Sequence, residues 1–257
     1  MNTKNNEIKT NSQAVDLNIP QYSLPMILFM FAWPAAWFSF LIFVIAPLFM
    51  LRPDGTLPLW GVNLISLLGN GAELAVALII LRREGYRLTL RALRERINWR
   101  LPKKLWKWGA VVGAFIAAVA VVILLQPIST QVATALPPPD WMPYHPLPEI
   151  ASLQPPPPDR NVVGTVVYFI YEFFIIGILL NFIGEELYYR AALLPKMRGV
   201  FGRWDWVANG FGFALKHIYF WWRVPFLWGA GIAFAFIYGP MGSLPLAIFF
   251  HWLGNIF

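Results

Sequence analysis

The chain has 257 residues and a formal net charge of +7. Hydrophobic residues make up 58% and charged residues only 13%, against roughly 25% charged in an ordinary globular domain, which excludes disorder and a soluble fold of this size and points to a polytopic helical membrane protein. Cysteine is absent, so disulfides, thiolate metal sites and a cysteine nucleophile are excluded. The basic residues bracket apolar segments and form no nucleic-acid-binding stripe, so no nucleic-acid partner is expected.

Residues 1–21 are polar and are expected to form a disordered cytosolic tail. The apolar run 22–51 is too long for a signal-peptide core and lacks a small-residue cleavage site. It reads as a first transmembrane helix, with Pro25, Pro34 and Pro47 as kinks or ends. A crossing needs about 20 apolar residues, and further candidates are 57–81, 108–126, 162–187, 206–222, 226–239 and 243–257. The expected fold is all-α: a single transmembrane helical domain over 22–257, a bundle of about seven transmembrane helices.

The loops set an orientation. Ten Lys/Arg, half of all in the chain, lie between Arg82 and Lys107. The segment 127–161 has one basic residue, Arg160, and eleven of the 22 prolines. The positive-inside rule places 82–107 in the cytosol and 127–161 outside as a stiff Pro-rich spacer that carries His145. The N-terminus is then cytosolic, as is the segment with Arg190, Lys196, Arg198 and Arg203. Tyr86, Leu90, Leu93, Ile97 and Leu101 are spaced by three and four, one face of a helix. Arginines on its other face would meet anionic lipid headgroups, with a topology anchor as the plainer role.

Ionisable groups inside apolar spans are costly, and each is a candidate functional residue. They are Glu73, Glu172, Glu185, Glu186, Lys216, His217 and His251. Glu186 and Arg190 are spaced i,i+4 and can pair on one helix face. Glu185 points about 100° away. It is left without that counter-charge in a low-dielectric setting, which suits a general base; the alternative is one structural network of both glutamates with Arg190. In Phe213-Ala214-Leu215-Lys216-His217 the histidine is either catalytic or a packing residue, and Lys216 faces elsewhere, toward headgroups or Glu73. His251 and Asn255, again i,i+4, present donors suited to an oxyanion or to interhelical hydrogen bonding. Counted from the cytosolic helix ends, Glu185, His251 and His217 lie about 7, 12 and 16 Å deep, consistent with one convergent site.

The motifs Glu185-Glu186-xxx-Arg190, Phe213-xxx-His217 and His251-xxx-Asn255, in that order on separate apolar segments, resemble the CPBP family, the CAAX proteases and bacteriocin-processing (Abi) enzymes. The resemblance covers about 160–257, so that 162–257 is the expected catalytic core. It implies an intramembrane endopeptidase with a conical polar active site open to the cytosolic side. It further implies that Glu185 and His217 activate a water, and that His251 and Asn255 stabilise the tetrahedral oxyanion. Glu186, Arg190 and Phe213 then give structural support. The implied partner is a membrane protein or lipidated peptide, and no metal or other cofactor is expected. Family members often have eight spans. Residues 243–257 rise only about 22 Å, so either the last helix ends inside the membrane or the chain is truncated.

Motifs of other intramembrane proteases, GxSG, GxGD and HExxH, are missing. A zinc version built from Glu185, His217 and His251 is one alternative, since two His and a carboxylate form a catalytic zinc set. A non-catalytic scaffold or bacteriocin-immunity protein is another. A transporter fits less well, because no pair of interrupted helices occupies corresponding halves.

Overall fold

The computed structural model of the chain describes residues 19–142 and 179–254, and every regular element among them is helical. Three helices are long and apolar enough to cross a membrane: α1 (Leu24–Phe49), α2 (Leu59–Arg83) and α3 (Leu105–Ala135). After a π-helix at Glu186–Leu193 come α4 (Asp205–Lys216), α5 (Val224–Tyr238) and α6 (Leu244–Gly254).

Two of these correct the expected spans. The 12 residues of α4 and 15 of α5 rise about 18 and 22 Å, short of a hydrocarbon core of about 30 Å. The expected span 206–222 is broken because α4 stops at Lys216, and a 3-10 turn, His217–Phe220, follows before Pro225 opens α5. Conversely, α3 runs through Pro127 to Ala135, so the helix claims the first residues assigned to the outer loop. Most of 162–187, with Glu172, and most of 127–161, with His145, lie outside the described residues, as do 1–18 and Asn255.

The prolines of α1 are absorbed in two ways. Proline has no N–H for the carbonyl four residues back. Before Pro47, the helix widens into a π-turn at Leu41–Ile45, where the Ala46 N–H donates to Leu41 O. At Pro34 the freed carbonyl is that of Met30, and it accepts from the Tyr188 hydroxyl at 2.6 Å. That hydroxyl in turn accepts from Trp33 Nε1 at 2.6 Å. The carbonyl freed by Pro34 therefore becomes a dock for the π-helix.

Helices α4 and α5 form a hairpin that touches backbone to backbone. A Cβ on Gly210 would lie 2.5 Å from Ile232 Cα, and one on Gly231 would lie 2.6 Å from Gly210 O. Only glycine permits that approach. It fixes the height of Lys216 and His217 at the far end of α4. On its other side α5 packs on α3 around Gly229 and Val121, while Ile116, Ile123 and Leu124 of α3 are left exposed, as lipid contact requires.

The basic segment after α2 is not one amphipathic helix. Only Leu90–Leu93 is helical, and Gly85 and Asn98 take positive φ of 93° and 52°, which breaks the periodicity on either side. Leu93 and Ile97 are buried as the pattern implied, but Leu90 and Leu101 are exposed. Arg96 turns inward. It pairs with Glu84 at 2.7 Å and donates to Ala191 O at 2.7 Å. Lys196 joins Glu84 at 2.7 Å. Burial would raise the Glu84 carboxyl, but the hydrogen bonds from Arg96 and Lys196 outweigh it and hold it below the usual range.

Residues 19–21, grouped above with the tail, are also docked. Gln21 donates to Pro195 O at 3.0 Å and accepts from the Gly199 N–H at 2.8 Å, and the Tyr22 N–H donates to Lys196 O at 2.9 Å. The start of α1, the basic segment and the turn at 194–199 thus meet at one end of the bundle. These are the segments that the charge asymmetry put on one side.

Candidate active site

The site is built on the π-helix Glu186–Leu193, every residue of which is buried. Such helices are rare and concentrate at functional sites. Glu186 Oε2 lies 3.3 Å from Arg190 Nε, with both side chains fully buried. The Arg190 guanidinium also donates to the Asn209 side-chain oxygen and lies over the Phe213 ring, 4.7 Å from its centroid. Asn209 is itself oriented by donating to Tyr189 O at 2.9 Å. The motif arginine is therefore a strut between the π-helix and α4.

Glu186 is not committed to Arg190 alone. Its Oε1 is 3.2 Å from His251 Nδ1. The His251 ring is packed by Phe234, centroids 4.9 Å apart, and Phe182, 5.3 Å apart.

Glu185 does not stand alone either. Its Oε1 is 2.9 Å from Lys216 Nζ, and the same ammonium is 3.1 Å from Glu73 Oε1. The Tyr189 hydroxyl donates to Glu73 at 2.8 Å. Glu185 points away from Arg190, as its place in the helix requires, but the end of α4 supplies a different cation. The other Glu185 oxygen, Oε2, is buried and has no hydrogen-bond partner among the described residues.

His217 opens the 3-10 turn after α4. Its Nδ1 lies 2.9 Å from Phe213 O. A carbonyl can only accept, so Nδ1 carries the hydrogen and the Nε2 lone pair is left for other work. The Phe213 ring stands 5.0 Å from His217 and 5.9 Å from His251. Arg190, His217 and His251 thus contact the Phe213 ring, Glu186 joins them through Arg190 and His251, and Glu185 through Lys216, whose Nζ is 5.7 Å from that ring.

Among the described residues no three His, Asp or Glu side chains converge to hold a metal ion. Three site residues escaped the sequence reading: Asn209, Tyr188 and Tyr189. Asn209 had a signal, because Asn209 and Phe213 share one face of α4 at four-residue spacing, and His217 follows at the same interval just past its end.

The described residues thus combine helices able to cross a membrane with buried Glu185, Glu186 and His251 and a half-buried His217. Residues 167–257 match the family model Rce1-like, type II CAAX prenyl endopeptidase Rce1-like. The resemblance read from the three motifs holds over that segment, and at family level it supports a membrane-integral protease of the CAAX-processing type. No curated protein and no solved structure matches the chain.

Proposed function

We propose that the protein is a metal-independent, glutamate-dependent endopeptidase that cuts a peptide bond of a membrane-associated or prenylated protein. The observation that carries this reading is the division of labour within Glu185: Oε1 is held by Lys216, while Oε2 is buried with no hydrogen-bond partner among the described residues. A carboxylate fixed by one oxygen and free at the other is suited to take a proton from water.

In this mechanism the water is held between Glu185 Oε2 and His217 Nε2. Glu185 takes its proton as the oxygen attacks the scissile carbonyl. His251, whose Nδ1 lies 3.2 Å from Glu186 Oε1, is placed to donate a ring N–H to the developing oxyanion together with Asn255. The proton on Glu185 then passes to the leaving amine. The cytosolic face, with the basic segment 82–107 against anionic headgroups, is the side from which substrate enters the conical site.

The test is cleavage of prenylated and unprenylated C-terminal reporter peptides by pure protein in bilayers. Glu185→Gln should keep the fold and lower the rate by about 10²-fold or more. An unchanged rate refutes the role of Glu185. An inert wild-type protein supports the scaffold reading. Stoichiometric zinc whose removal stops cleavage and whose return restores it establishes the zinc enzyme.

A further inference from the structure

We propose that the protein has a second, non-catalytic site that binds the phosphate of an anionic phospholipid headgroup. This goes beyond the peptidase reading and does not depend on it. A cavity of about 1220 Å³ lies between the basic segment and the turn that follows the π-helix. Its walls carry five arginines, Arg91, Arg94, Arg96, Arg100 and Arg198, against two acids, Glu95 and Asp205. None of the catalytic candidates lines it.

Not all of that charge is spent inside the protein. Arg96 is engaged by Glu84 at 2.7 Å, and Arg198 by Asp205 at 2.9 Å. Among the described residues Arg100 Nε donates only to Gly242 O, at 3.4 Å. The side chains of Arg91 and Arg94 make no hydrogen bond or ion pair among the described residues. The cavity also holds a buried donor. Tyr238 is 2% exposed, and its hydroxyl lies beside Asn98 and Arg96 yet makes no hydrogen bond of ordinary geometry among the described residues. Buried polar groups are nearly always satisfied. A cavity lined by that hydroxyl and by the unpaired Arg91 and Arg94 is matched by an acceptor with several oxygens and a negative charge. Phosphate is such a group.

Two observations favour lipid over free phosphate as its source. The cavity is formed by the segment joining α2 and α3, at the end of two helices able to cross a membrane, which is headgroup level whichever side it faces. Leu90, which lines the cavity, is exposed, as are Leu88 and Leu101 nearby. These offer acyl chains a surface that inorganic phosphate would not use.

The test counts lipids retained by the full chain in native mass spectrometry after reconstitution with phosphatidylcholine alone, with added phosphatidic acid, or with added inorganic phosphate. Wild type should retain phosphatidic acid over phosphatidylcholine. Arg91→Gln with Arg94→Gln should weaken retention by about tenfold or more, and Tyr238→Phe by roughly threefold. Lys103→Gln with Lys104→Gln removes the same charge from the same segment outside the cavity, and should change retention by less than about twofold. Melting curves establish that each variant is folded; if the arginine pair fails, Tyr238→Phe decides. Equal losses in both double variants, or no preference for phosphatidic acid, overturn the site. Saturation by inorganic phosphate with no lipid retained overturns the lipid assignment.

Discussion

Replacing Lys216 with methionine removes one ammonium from between two carboxylates. Lys216 and Glu73 are fully buried and Glu185 nearly so, with N–O distances of 2.9 and 3.1 Å. At an effective dielectric constant of about 20, each such pair attracts by about 5–6 kcal/mol. Desolvation of the ions offsets much of this, and removing one partner of a buried pair costs a net of about 3–5 kcal/mol. For a chain of this size that corresponds to a fall of about 10 °C in Tm. The assay is thermal unfolding of wild type, Lys216→Met, Glu73→Gln and the double variant in one detergent. Glu73→Gln keeps the Lys216–Glu185 pair and should lose less. The double variant should be more stable than the sum of the singles by about 1 kcal/mol, because it relieves the repulsion that Lys216→Met creates. A Lys216→Met protein that melts within about 2 °C of wild type, with additive doubles, refutes the shared ammonium.

Glu186→Gln should be destabilising by about 3–5 kcal/mol, since it leaves Arg190 buried without its carboxylate; a melting curve is the measure, and an unchanged Tm refutes it. The stability supplied by the Glu84 pairs should be fully present above the ordinary carboxylate pKa of about 4.3 and lost as pH falls through the lower folded value. The Tm gap between wild type and Glu84→Gln should therefore be wide at neutral pH and close in acid. For topology, a cysteine introduced as Lys104→Cys should react only with reagents that reach the cytosol, and Ser152→Cys with impermeant reagents from outside; the reverse pattern overturns the orientation.

Much of the site was legible because the bilayer makes polar residues conspicuous. Glu185, Glu186, Lys216, His217 and His251 stand out in apolar runs, and i,i+4 spacing alone gave the Glu186–Arg190 pair. What spacing cannot give is the neighbour across the bundle. The partner of Glu185 is decided by the Gly210–Gly231 contact, which sets how far α4 reaches. The second contact of Glu186 depends on where α6 docks. Length misled in both directions: apolar composition carried 206–222 across a break at Lys216 and His217, while α3 ran on past Pro127. In the basic segment the three-and-four pattern was real for Leu93 and Ile97. Gly85 and Asn98 cut the helix that would have extended it.

The carbonyl of Met30 gives α1 a history as well as a shape. When this helix is inserted, Pro34 leaves that oxygen without a donor, and the tyrosine that satisfies it is 158 residues further along the chain. In hydrocarbon an unsatisfied backbone group costs several kcal/mol. The early helix therefore carries a debt that only the late-synthesised segment can cancel. Capture of Tyr188 couples completion of the bundle to assembly of the glutamate-bearing helix, so the first membrane helix reaches its final state only when the residues of the candidate site have arrived.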